Sequence, residues 1–387
     1  MHGMSLTLSL HKSIAEIDAA EWDACAGGQN PFVSYAFLSA VEDSGSAGPR
    51  TGWLPQHAAL RDAAGTLVAC APLYAKSHSY GEYVFDHAWA DAFERAGGQY
   101  YPKLQCAVPF SPVPGPRLLV REGAADAPGL RAALAGALAQ ACDQLGLSSA
   151  HVTFCTEAEW TMLGEAGWLR RMNLQFHWRN EGYASFEAFL GALASRKRKA
   201  IRKERERATE GLDIRALRGA EITPAQWDQF FRFYRSTTDR KWGQAYLTRR
   251  FFHLLGERLG DAMVLIWAEQ AGQPVAAALN LIGGDTLYGR NWGATIDRPF
   301  LHFEMCYYRA IDFAIEAKLA RVEAGAQGQH KISRGYLPVP TYSAHWIAHP
   351  GLRRAVADFL ARERPAVEHE IAELAEEASP FRKDNGA

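Results

Sequence analysis

Between Glu323 and Gly335 the chain gathers an acid, an imidazole and two cations into one short stretch: Glu323, Gln327, His330, Lys331 and Arg334, with glycines at 325, 328 and 335. Such a set suits a reaction that moves a proton while negative charge builds on an oxygen. Imidazole exchanges protons near neutral pH. Lysine offers a point charge, and arginine a planar fork, to a phosphate or an oxyanion. Closely spaced glycines let backbone N–H groups approach a ligand. The alternative reading is a solvated loop that only connects two elements. Just upstream, Leu301-His302-Phe303-Glu304 opens a helix whose apolar side is Phe303, Tyr307, Ala310, Ile311 and Ala314. The helix dipole alone explains an acid in that first turn. The functional reading makes Glu304 a base or an amine anchor, with His302 beside it.

Three other groupings carry chemistry or imitate it. Arg196–Arg207 is densely cationic, with Arg198, Arg202 and Arg205 on one helical line and Lys199 and Lys203 on another. Such a face suits a phosphate backbone, and a tRNA is the partner it would fit; a solvated amphipathic face is the commoner meaning of a charge run. In the first half His78, Glu82, Tyr83, Asp86, Tyr101 and Lys103 form a polar-aromatic cluster, which suits a ligand or a core with hydrogen-bonded tips. His345 and His349 have the spacing of a helical metal pair, but no third ligand accompanies them, so no metal is expected. Cys306 falls on the apolar side of its helix and reads as packing.

The elements that must position these residues divide into two similar halves. The 387 residues suffice for two cores. Forty-two basic residues face forty-three acidic ones, so recognition by charge must come from local patches. No apolar run reaches the roughly 18 residues of a membrane span, and the opening residues lack the basic start of a signal peptide. Six scattered cysteines without a Cys-x-x-Cys pair suit a reducing cytoplasm. In the first half we expect helices at 14–26, 32–41, 129–145 and 158–166, with strands at 57–61, 67–76, 150–155 and 174–178. His78–Pro116 reads as ordered loop and strand. In the second half a helix capped by Ser185 runs past Ile201, and another starts at Thr223-Pro224. Strands at 263–269, 274–282 and 286–292 precede a helix at 302–319 and a returning strand at 321–325. A charged helical tail covers 352–378, kinked or broken at Pro365.

Three antiparallel strands, a helix and a returning strand resemble an acetyltransferase (GNAT) unit. The basic run Ser195–Arg207, the helix of Trp227–Tyr234 and Tyr288-Gly-Arg290-Asn-Trp292-Gly-Ala294 resemble Fem peptidyltransferases. His78–Asp86, Tyr101–Gln105, Leu301–Glu304 and Glu323–Gly335 resemble the Fem-like branch of predicted N-acyltransferases, from Asn30 to Trp346. The resemblance implies an α/β (α+β) chain of two tandem GNAT-like domains, 1–180 on the acceptor side and 181–387 on the transfer side. Their sheets would be mixed, mainly antiparallel, and flanked by helices. It further implies that Asp86 takes the acceptor's amine, with Lys103 and Tyr101, and that Arg290 and Trp292 line the transfer site. The usual coenzyme A turn departs here, since Arg290-Asn-Trp-Gly293-Ala-Thr295 ends in threonine. The lysine of the Fem turn is replaced by Arg334-Gly335-Tyr336, with Lys331 as its substitute.

The leading expectation is an N-acyltransferase that moves an acyl or aminoacyl group onto a small-molecule or peptide amine, held between the two domains. Catalysis would rest on Glu304, His330, Lys331 and Arg334, with Asp86, Tyr101, Lys103, Arg290, Trp292, His302, Glu323 and Gln327 binding substrate. Acyl-CoA and aminoacyl-tRNA are both open as donor. The alternatives are an aminoacyl-tRNA-dependent peptidyltransferase on a cell-wall precursor and a non-catalytic binding protein on the same fold.

Overall fold

The computed structural model describes residues 5–240, 245–325, 328–376 and 378–382. Two compact units emerge, Met1–Asn173 with Pro340–Glu368 and Leu174–Val339 with His369–Ala387. Pro340–Glu368 thus groups with the N-terminal residues rather than with the second half.

The first unit carries β1 (Thr7–His11), β2 (Trp53–Pro55), β3 (His57–Arg61), β4 (Leu67–Ala71), β5 (Leu73–Lys76), β6 (Lys103–Cys106), β7 (Leu119–Val120) and β8 (Ser149–Cys155). Strands β1-β3-β4-β7 form one antiparallel sheet. In a second sheet β2-β5-β6 pair antiparallel and β6 pairs β8 in parallel. The apolar stretch 67–76 reads as one strand, but Pro72, which has no N–H to donate, divides it. Five helices accompany these strands: α1 (Ala19–Ala26), α2 (Tyr35–Asp43), α3 (His87–Arg95), α4 (Ala127–Gln144) and α5 (Glu157–Glu165). The unforeseen one is α3. Asp86 stands at its N-cap without bonding its backbone, because that carboxylate is used elsewhere.

The second unit opens with β9 (Leu169–Arg179), which enters it at Leu174, followed by α6 (Phe186–Ala192) and α7 (Ser195–Thr209). Ser185 caps α6 through the Ala188 N–H at 3.1 Å. The helix expected to run on past Ile201 instead breaks at Leu193-Ala194. Next come β10 (Asp213–Arg218), α8 (Pro224–Arg240), α9 (Arg249–Leu259), β11 (Met263–Gln270), β12 (Gln273–Gly283) and β13 (Thr286–Ala294). The expected helix at 302–319 is a short α10 (Leu301–Phe303), one π-helical turn (Glu304–Tyr308) and α11 (Arg309–Glu316). After β14 (Arg321–Glu323), β15 (Leu337–Ile347) passes into the first unit at Pro340, and α12 (Pro350–Glu376), whose helical backbone continues through Pro365, belongs to that unit as far as Glu368.

In this unit the sheet order is β10-β11-β12-β13-β14-β9, antiparallel except for β13 against β14. Phe176, Trp178, Leu287 and Val322 point from the sheet into a core shared with Tyr308, Ile311 and Ala314. Burying such side chains contributes roughly 1.5–3 kcal/mol each. On the other side α8 packs against β12 and β13, an approach that Gly293 permits. A Cβ there would lie 2.0 Å from the Phe233 carbonyl oxygen, so even alanine must displace backbone. Gly293→Ala is expected to cost about 1–3 kcal/mol through overpacking. Urea unfolding checks this: an unchanged midpoint would show that α8 gives way freely.

Candidate functional site

Strands β13 and β14 pair only from Thr286–Arg321 to Tyr288–Glu323. Beyond that point β14 ends while β13 runs on to Ala294, so the sheet forks. A bulge sharpens the opening: Leu279 pairs with Asn291 and Asn280 with Gly289, leaving Arg290 as the extra residue. The resulting cavity of about 70 Å³ is lined by Asn280, Arg290, Trp292, His302, Cys306 and Tyr307, among others. The His302 and Trp292 rings lie 4.6 Å apart. One wall is the π turn, a distortion that often accompanies function.

Two titratable groups flank the fork. Glu323 is the last residue of the parallel pair and is buried. Burial pushes its carboxyl up to about 7, against the pull of Arg321 and Arg290. Its Oε2 has no hydrogen-bond partner, and Oε1 lies 3.8 Å from His177 Nδ1. Lys331, also buried, donates to the carbonyls of Ala324 at 2.8 Å and Gly325 at 2.9 Å, just past the end of β14. Burial pulls its ammonium down to about 8. The stretch whose alternative reading is a solvated loop includes a 3-10 turn, Gln329–Arg334, with Lys331, Ile332 and Arg334 inside.

The other expected residues of this unit take different places. Glu304 is fully buried, with Arg205 at 2.9 and 3.0 Å and Arg309 at 2.8 Å. Arg334 holds Glu204 at 2.9 and 3.0 Å and covers the Phe303 ring. Tyr308 donates to the same Glu204. Both sets stitch α7 to the π turn. Exposed His330 meets the Tyr307 hydroxyl at 3.0 Å. Gln327 lies outside the described residues. Cys306, read as packing, faces the cavity.

In the first unit, Lys103 is fully buried and donates to Ser79 Oγ at 2.8 Å, Glu82 Oε2 at 2.8 Å and Asp86 Oδ2 at 2.5 Å. Tyr100 donates to Asp86 at 2.7 Å, and Tyr101 meets Ser79 at 2.8 Å. Burial alone would raise the Asp86 carboxyl, but the Lys103 ammonium holds it well below the usual range. His345 sits in β15 against His151, 2.7 Å between their Nδ1 atoms, while His349 packs on Phe93. Among the described residues, no group of three His, Cys, Asp or Glu side chains is placed to hold a metal ion.

The sequence matches the FemAB-like family model, described as peptidoglycan biosynthesis/recognition, over residues 13–383. The chain belongs to the FemAB-like family. No curated protein matches it. Among solved structures, FemX matches with TM-score 0.55 at 9% identity, covering 92% of this chain and 100% of FemX. The C-terminal domain of a putative lysylphosphatidylglycerol synthetase from Agrobacterium fabrum matches with TM-score 0.55 at 10% identity, covering 96% and 100%. A tandem GNAT protein from the clavulanic acid biosynthesis pathway matches with TM-score 0.47 at 10% identity, covering 89% and 99%. The fold is thus the one shared with FemX and the synthetase domain, built here from mixed, mainly antiparallel sheets flanked by helices, and the family is one of peptidoglycan biosynthesis or recognition. Its partner is of the kind found in peptidoglycan chemistry. Among the described residues, no helix is long and apolar enough to cross a membrane.

Tyr307 and Asn280, which line the fork cavity, and His177, beside Glu323, were not among the residues that the sequence singled out for this candidate site. Asn280 left a signal, a lone amide within the apolar run Val275–Ile282. Tyr307 left none, because its spacing is that of an ordinary core residue.

Proposed function

We propose that this FemAB-like protein joins the acyl carbon of a carrier-bound acyl or aminoacyl group to an amine at the fork between β13 and β14. The observation that carries this reading is the buried Glu323 carboxylate with one unpartnered oxygen at the base of the fork. The amine nitrogen attacks the carbonyl carbon and gives a proton to Glu323. Lys331 spends two N–H groups on backbone carbonyls and offers the third to the oxygen where charge builds. The C–O or C–S bond to the carrier then breaks, and the leaving atom takes the proton from Glu323. Arg205, Arg309 and Arg334 position the wall by holding Glu304 and Glu204; they do not react.

Two observations favour tRNA as the carrier over coenzyme A. The turn after β13 ends in Thr295, and α10 starts only at Leu301, so no glycine turn leads directly into a helix N-terminus. On α7, Arg196, Lys199, Arg202, Lys203 and Arg207 remain exposed. The acceptor in this reading is an amine on a peptidoglycan precursor peptide.

The test supplies such a peptide with aminoacyl-tRNA or acyl-CoA and reads the new amide by mass spectrometry. With aminoacyl-tRNA, the pair Lys199→Glu and Lys203→Glu is expected to lower turnover at least about tenfold and to flatten its salt dependence. Unchanged turnover would remove tRNA. Product from neither donor, with the acceptor bound, would leave a binding protein.

A further inference from the structure

The second unit holds a larger cavity, of about 390 Å³, that the fork chemistry does not use. It opens beside His177 and Arg179, which alternate along β9 with the core residues Phe176 and Trp178. Leu337, Pro338 and Val339 from the start of β15 supply an apolar floor, and Phe381 closes it. The strap that places Phe381 is well fastened. Phe381 bridges to Leu193, the Ala194 N–H donates to the Pro380 carbonyl at 2.9 Å, and the Arg382 N–H donates to the Ala192 carbonyl at 3.0 Å. At the rim stand Arg179 and Glu181, both exposed, and among the described residues neither makes a salt bridge.

We infer that this cavity receives the acceptor, as an amino acid or a dipeptide with an apolar side chain, carboxylate on Arg179 and free amine on the His177 side. The inference rests on the fork reading above and adds the acceptor's class and its seat. Three features carry it. The volume lies within the range of small-ligand pockets, and the apolar floor rewards burial of a hydrocarbon side chain. The Arg179 guanidinium matches a carboxylate through two parallel N–H bonds, while Glu181 on the same rim welcomes an ammonium and repels a second carboxylate. His177 joins the cavity to the chemistry, because it lines the wall and stands 3.8 Å from Glu323 Oε1. Burial pulls its ring down to about 3, so it stays neutral and does not repel an incoming ammonium. An amine bound against His177 is separated from the Glu323 carboxylate by that ring alone.

The probes are L-leucine, leucinamide and octanoate, with binding to the full chain read by calorimetry and saturation-transfer NMR. Leucine is expected to bind at least about tenfold more tightly than leucinamide, since only leucine has a carboxylate. Arg179→Met, on the surface and harmless to folding, should erase that difference. Val339→Trp should fill the cavity and abolish leucine binding with its melting temperature retained. Glu323→Gln should still bind leucine while losing transfer. Octanoate bound in place of leucine would assign the cavity to the donor's acyl chain and overturn the inference. So would Arg179→Met binding both leucine and its amide as the unaltered chain does, or no leucine binding at all. If instead Glu323→Gln still transfers, the fork reading falls and the binding results stand by themselves.

Discussion

Glu323→Gln lowers acyl transfer by about two to four orders of magnitude, the range for loss of a general base, and leaves the chain folded. The amide keeps the size of the side chain but accepts no proton. Folding gains from the change, because burial raises this carboxyl from its ordinary 4.5 to about 7. The unfolded chain ionises Glu323 first, so its charge penalises the folded state increasingly from pH 4.5 to about 7 and fully above that. Thermal melts at pH 8 should therefore place the glutamine variant at or above the unaltered chain. A variant that melts normally and still transfers at full rate would acquit Glu323.

Glu323 and Lys331 together shape the pH dependence of kcat/KM. Activity rises as the Glu323 carboxylate forms near pH 7 and falls as Lys331 loses its proton near pH 8, a narrow bell. In Glu323→Gln the residual activity should lose the acid limb and keep the alkaline one. That split separates a base from a residue that only supports the fold.

The sequence announced β11 to β14 because those strands are apolar, β-branched or small, and set apart by glycine turns; it hid β10, whose Asp213–Arg218 is mostly exposed and charged. It announced the neighbourhood of the site because glycines and charges crowd between Glu323 and Gly335. Distances in sequence, however, do not reveal which charges neutralise one another. Glu304 and Arg334 carry the marks of reactive residues, yet their partners, Arg205 and Glu204, sit side by side, 99 and 130 positions away, in a run that reads as solvated. The fork's decisive trait, one carboxylate oxygen left without a partner, is a property of packing and has no counterpart in spacing. Asp86 hid α3 in the same manner. An aspartate before a helix normally caps it, but its carboxylate went to Lys103 and Tyr100. The aromatic segment around it then looked irregular.

Lys103→Met is expected to destabilise the first unit by about 3–5 kcal/mol, the cost of stranding a buried charge, and to lower its melting temperature by roughly ten degrees. Methionine fills the space and removes the three N–H donors. Glu82 Oε2 and Asp86 Oδ2 then lose their cation, and Glu82 Oε1 and Asp86 Oδ1 are already without partners. Lys76 does not replace it: its Nζ lies 3.9 Å from Glu82, and burial pulls its ammonium down to about 7. His151 and His345 stay neutral, because burial drives both rings down. The stranded carboxyls can remain buried only by taking protons, so the variant's deficit should grow from pH 5.5 to pH 8. A deficit equal at both pH values would mean lost packing rather than lost charge. If the variant melts normally at pH 8 and transfer is lost, Asp86, Tyr101 and Lys103 belong to the acceptor site that the Fem resemblance implies. If it melts early and the unit refolds with acid, the cluster is the ionic keystone of the first unit.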